Sequence, residues 1–198
     1  RGLQSGISKQ RLEFLINRLI SNLRINRVWA ARRFMRDFIS SQDDHAGQKY
    51  WVETTPLNIA QARRILKLFP DALFINMVRD PRDVIASLLT KNWGPTTPLE
   101  GLEWIEKRLR DAHEALAHIP ANQKITIALE DLAINNRLQS YQSLLKFLNL
   151  GDDAGMKEFF ETHLSAEAAM SGRWKQEIAT PEFLDGYAEL EKRLALLK

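Results

Sequence analysis

Cysteine is absent from all 198 residues. Disulfides, thiolate metal sites and cysteine nucleophiles are therefore excluded, and a reducing, cytoplasmic setting is the expectation. Glycine and proline are scarce, at 9 and 7, which excludes collagen-like and low-complexity classes. Uninterrupted apolar runs extend over only a few residues, so no membrane-crossing helix is expected, and no signal-peptide pattern opens the chain. Acidic side chains are missing from one region in particular. Residues 1–40 hold nine basic side chains and only two acidic ones, Glu13 and Asp37, while the remainder is slightly acidic. Such a basic segment either attracts a polyanion or anionic metabolite, or is simply a solvated helix face.

What is present is a helix–strand alternation. Leu12, Leu15, Ile16, Leu19, Ile20 and Leu23 recur at helical spacing behind a capping Ser8, and a second helix runs through Trp29, Phe34, Met35 and Phe38. Ser40 to Gln48 reads as a loop. Tyr50-Trp51-Val52-Glu53 predicts a short strand stopped by Thr54-Thr55-Pro56, with Trp51 in the core, and a helix follows from about Asn58 to Leu68. Leu73 to Val78 is the clearest buried strand. Asp80 and Pro81 have the pattern of an N-cap and first helical residue. Further elements are a helix over Leu99–Ala117, a strand over Lys124–Leu129, and helices over Leu138–Leu148 (ended by Gly151), Met156–His163 and Pro181–Leu197. A polar segment, Ser171 to Lys175, lies between the last two.

This alternation predicts an α/β fold, a parallel sheet flanked by helices. One domain over 1–198 is expected, divided into a helical segment 1–48 and a core 49–198. Three strands are few for such a sheet, and a further strand upstream of Arg1 is expected.

Ligands in open parallel sheets bind beyond the carboxyl ends of the strands. Glu53 and Arg79 both sit at such ends. Arg79 immediately precedes a helix N-terminus, which favours an anion, and Ser87 lies about two turns into that helix. Guanidinium, amides and hydroxyl together suit a phosphate. The plain alternatives are an ion pair for Arg79 and a helix-capping role for Glu53. Just past a buried strand, Glu53 is expected to have its pKa raised by desolvation. Trp174 suits stacking on a base or packing as a lid, and Arg173 either reaches a phosphate or is solvated. Arg82 reads as solvated, and Glu130-Asp131 as helix capping. Tyr50, Trp93 and Trp104 read as covers for a sheet edge. No pair among the four histidines has ligand spacing (His113 and His118 are five apart), so no metal is expected.

Read together, WVETTP (51–56), LFPDALFINMVRDPRDVIASLL (68–89), ITIALEDL (125–132), KFLNLG (146–151) and GRWK (172–175) resemble the sulfotransferases of the heparan sulfate and bacterial carbohydrate kind. The resemblance spans about residues 50–198. It implies a fold related to P-loop NTPases and the donor 3′-phosphoadenosine 5′-phosphosulfate (PAPS), released as adenosine 3′,5′-bisphosphate (PAP). Arg79 and Ser87 match the family's grip on the donor 3′-phosphate. Glu53 matches the base that takes the acceptor's proton, and Gly172 to Lys175 resemble the late loop closing on the nucleotide, carrying Arg173 and Trp174. A small-molecule or glycan acceptor is implied, with no nucleic acid and no membrane span. Two departures stand out. Thr54 replaces the family's lysine, and no Gly-rich 5′-phosphosulfate loop follows a strand, since Gln4 to Lys9 lacks a preceding one. A P-loop-type kinase and a non-catalytic nucleotide- or partner-binding remnant remain as alternatives.

Overall fold

The computed structural model describes residues 6–41, 50–55 and 58–196. Most of the loop expected at 40–48, with His45 and the boundary drawn at residue 48, lies outside the described residues, as do Gln4, Ser5, Pro56 and Leu197. The chain forms two compact units, 1–72 and 73–198.

The first unit opens as a helical hairpin, α1 (Lys9–Leu23) and α2 (Arg27–Ile39). Both helices start where side-chain caps dictate: Ser8 accepts the Arg11 amide, and Asn26 accepts the Trp29 amide. The hairpin is antiparallel, because Arg11 near the start of α1 donates to the Ser41 hydroxyl just beyond the end of α2. Leu15 and Ala30 are its buried residues, and Arg18 pairs with Asp37 across it. A short helix α3 (Ala62–Leu68) follows a 3-10 turn over Ile59–Gln61. Arg32 of α2 donates to the Lys67 carbonyl in its last turn, at 2.8 Å.

The second unit holds the sheet. Strands β1 (Phe74–Val78) and β2 (Lys124–Ala128) pair in parallel, with Phe74 opposite Lys124 and Val78 opposite Ala128. Between them run α4 (Pro81–Leu88) and α5 (Pro98–Ala117). After β2 come a π-helical turn over Asp131–Asn135, then α6 (Arg137–Leu148) and α7 (Ala154–His163). Two four-residue helices, α8 (Ala166–Ala169) and α9 (Trp174–Glu177), lead to α10 (Pro181–Ala195). This is an α/β architecture, mostly helical with a small parallel sheet. The sheet is smaller than the three strands expected. Residues 50–53 are irregular, and Val52 is largely exposed. No neighbouring strand satisfies that backbone among the described residues, and Trp51, expected in the core, is exposed too. The stop expected at Gly151 comes two residues earlier. Asn149 adopts the left-handed conformation, φ 50°, that closes α6.

Two cores stabilise this unit. One gathers Ile85, Leu102, Ile105, Trp174, Phe183 and Leu190 between α4, α5, α9 and α10. The other packs Ile127 of β2 against Leu132, Tyr141, Leu145 and Phe160. There the Tyr141 ring stacks on Phe160, and its hydroxyl donates to Asp152. Trp104 packs against the first core, whereas Trp93 stands exposed and covers nothing.

Helix approach in the first core depends on a missing side chain. A Cβ on Gly101 of α5 would lie 2.4 Å from Ile85 Cγ2, and Ile85 is wholly buried. Gly101→Ala should therefore cost about 1–3 kcal/mol of stability through overpacking, read as a lower urea midpoint. Glu106 of α5 joins α10 electrostatically: Arg193 and Arg110 both donate to it and hold its pKa down to about 2. A lowered native pKa adds stability that is complete above the ordinary carboxylate range and lost as pH falls toward 2. Glu106→Gln should flatten the acid side of the stability–pH curve between about pH 4.5 and 2.

Candidate functional site

The turn from β1 into α4 organises the site. Asp80 caps α4 by accepting the Arg82 amide, and its own amide donates to Glu130 Oε1 at 2.9 Å. Glu130 was expected to cap a helix. Instead it reaches from the end of β2 to the end of β1 and fixes the peptide between Arg79 and Asp80. The position of this half-buried strand-end carboxylate beside a backbone donor just past the neighbouring strand decides its role.

Arg79, Arg82 and Asp83 each engage the segment 170–174. Arg79 Nη2 donates to the Met170 carbonyl at 2.9 Å. Arg82 makes a two-point ion pair with Asp80, at 3.0 and 2.8 Å, and its guanidinium lies 4.0 Å from the Trp174 ring centroid and 4.8 Å from that of Tyr187. The expectation of a solvated Arg82 is overturned. Its fork is matched to a carboxylate and its faces to two aromatic rings. Asp83 is completely buried, accepting the Gly172 amide at 2.7 Å and the Trp174 amide at 3.1 Å. Gly172 itself needs φ +83°, which glycine adopts without steric cost.

Ser87 is half-buried. Four residues beyond Asp83, it falls on the same helix face one turn further along, and that face is the one Asp83 directs at segment 170–174. Arg79 carries an unusual feature: its Nε is buried with no hydrogen-bond partner. Arg173 ion-pairs with Glu177 at 2.9 Å, so its guanidinium is committed locally. Trp174 is nearly buried and covered by Arg82, an environment that favours its packing role over stacking on a base.

Glu53 lies in the first unit and is exposed. Its carboxylate accepts from the Asn58 amide side chain, the Thr55 hydroxyl (2.7 Å) and the Thr55 backbone N–H (3.1 Å). The Asn58 and Thr55 hydrogen bonds hold its pKa below the usual glutamate value. The expected upward shift is therefore reversed: the hydrogen bonds from Asn58 and Thr55 favour the charged form and outweigh the little desolvation of this exposed group. The carboxylate ties Thr55 to the Asn58 side chain ahead of α3, but it caps no helix amide, since neither the 3-10 turn nor α3 has a side-chain cap.

Among the described residues no group of three histidine, aspartate or glutamate side chains is arranged to hold a metal, and no helix is long and apolar enough to cross a membrane. Sequence reasoning missed Asp83 and Glu130. Each looks like an ordinary acid at the start of a helix, and only the burial of Asp83 and the Asp80 amide on Glu130 distinguish them.

With this arrangement in view, comparison with known families is informative. Residues 3–154 match the sulfotransferase family, and the chain belongs to that family. The match takes in the α1–α2 hairpin, which lay outside the resemblance seen in the sequence, and stops before the segment 170–174. No curated protein and no solved structure matches the chain significantly.

Asp83 makes a sharp prediction. Asp83→Ala strips the acceptor from two buried amides, and each bare amide should cost about 1–3 kcal/mol. Amide hydrogen exchange should accelerate first at Gly172 and Trp174; unchanged exchange there would show that the segment is held by other means.

Proposed function

We propose that this chain binds PAPS and moves its sulfuryl group to a hydroxyl or amine of a small-molecule or glycan acceptor. The observation that carries the reading is the buried, unpartnered Nε of Arg79 at the N-terminal end of α4. A buried guanidinium N–H without a partner is costly, and a phosphate oxygen would satisfy it. The Met170 carbonyl now held by Nη2 is a neutral acceptor, and an anion makes a stronger, charge-assisted bond. The amides opening α4 add favourable partial charge, and the Ser87 hydroxyl supplies a further donor. Arg79 and Ser87 are thus assigned to the 3′-phosphate. Arg173 is a secondary candidate that must first leave Glu177, and Trp174 is a wall of the segment.

When bound, the donor supplies an activated sulfuryl group whose transfer, like phosphoryl transfer, depends on positioning and charge stabilisation. Glu53 enters the proposal as the acceptor's base. It is ionised at any working pH, and of the roughly four lone-pair positions on a carboxylate its own turn uses three. One remains for an acceptor hydroxyl. Its lowered pKa makes it a weak base, which suits a loose transition state that asks little proton abstraction.

A second reading is binding of the nucleotide without transfer. Its support is that, among the described residues, neither β1 nor β2 is followed by a Gly-rich loop that could hold a 5′-phosphosulfate. Calorimetry with PAP and with adenosine 5′-monophosphate tests the shared part. PAP should bind more tightly, and Arg79→Ala should abolish the difference; retained preference would move the 3′-phosphate elsewhere. In a PAPS transfer assay, Glu53→Gln should leave PAP binding intact and lower the rate about 10²- to 10⁴-fold. Equal rates for the two proteins would remove Glu53 as base, and binding without any transfer would favour the second reading.

A further inference from the structure

The α1–α2 hairpin ends in a tip that the nucleotide chemistry does not use. Over residues 20–29, five large apolar side chains face solvent: Ile20, Leu23, Ile25, Val28 and Trp29, with Ile25 at 77% exposure. They lie within about one helical turn of the reversal between α1 and α2, so they form one patch. Arg24 and Arg27 stand exposed among them and make no ion pair among the described residues. Behind them on α2 are exposed Arg33 and Arg36, the former with its guanidinium 5.3 Å from the Trp29 ring centroid. From Phe14 to Arg36 the chain contains six arginines and no acidic residue.

Exposed aliphatic groups, a tryptophan and unpaired arginines on one surface call for a partner that is apolar inside and anionic outside. We infer that the hairpin tip docks on an anionic lipid bilayer, lying in the interface without crossing it. Ile20, Leu23, Ile25 and Val28 enter the acyl boundary by about 5–10 Å. Trp29 sits at headgroup depth, where its amphipathic ring is favoured, and Arg24 and Arg27 meet lipid phosphates. A second copy of the chain suits the patch poorly, because a two-fold contact would oppose the arginines of one copy to those of the other. Nucleic acid would engage the arginines but leave four aliphatic side chains without a stacking or groove partner.

Co-sedimentation of the whole chain with phosphatidylcholine vesicles, with and without phosphatidylglycerol, tests this. Binding should appear with phosphatidylglycerol and weaken as salt rises. The double substitution Arg24→Gln, Arg27→Gln should reduce partitioning by about fivefold per arginine. Ile25→Ser, at a position too exposed to disturb folding, should reduce it on the order of tenfold. Brominated lipid should quench tryptophan fluorescence, and Trp29→Phe should remove most of that quenching. Equal partitioning into both vesicle types overturns the inference. So does a loss with the arginine pair but none with Ile25→Ser, which would assign the surface to a polyanion such as nucleic acid. Lipid-independent dimerisation abolished by Ile25→Ser would assign it to a second copy.

Discussion

A buried carboxylate with no side-chain counter-ion holds the second unit's site together. Asp83 satisfies its charge entirely with the amides of Gly172 and Trp174, residues some 90 positions downstream. A carboxylate removed from water is tolerable only with such donors, so α4 and the 170–174 segment stabilise each other. Arg82 extends the grip by lying against Trp174 while its fork is matched by Asp80. Glu130 anchors the same turn from the second strand. The turn that presents Arg79 is therefore fixed on three sides. A rigid surround of this kind keeps a guanidinium N–H buried without a partner, the feature on which the proposed phosphate contact rests.

The two carboxylates relevant to chemistry and scaffolding differ through their surroundings. Asp83 is buried and structural. Glu53 is exposed, ionised and bound into its own turn. Membership of the sulfotransferase family suggests sulfuryl transfer generally, while the residue roles proposed above rest on local geometry: an arginine with an unmet donor and a serine on the face that Asp83 directs inward. The hairpin of the first unit belongs to the matched region as well. It buries little beyond Leu15 and Ala30 and exposes an apolar, arginine-rich end, so its sequence serves an external surface as much as an internal core.

Local rules made much of the fold legible in the sequence. Capping by Ser8 and Asp80, proline at the first helical position, and period-3.6 apolar spacing mark helix starts and faces, because each depends on neighbours a few residues away. The strands at 74–78 and 124–128 were legible for the same reason, as short apolar runs between turns. The strand expected at 50–53 failed because a strand needs a partner as well as a pattern, and its glutamate found donors in the following turn instead.

Taken alone, then, the amino-acid order determined most helix positions, the two paired strands, the basic bias of the first 40 residues and the likeness to the sulfotransferase family. Tertiary structure alone decided which charges are buried. Arg82 read as solvated and Glu130 as capping, and Asp83 drew no reading, since the backbone donors of the two carboxylates and the rings that cover Arg82 lie 50 or more positions away. Burial and pairing are properties of three-dimensional neighbours, and no local pattern encodes them. For the same reason the ionisation of Glu53 ran opposite to expectation: a pKa is set by the donors and solvent around a carboxylate, which the chain acquires only on folding.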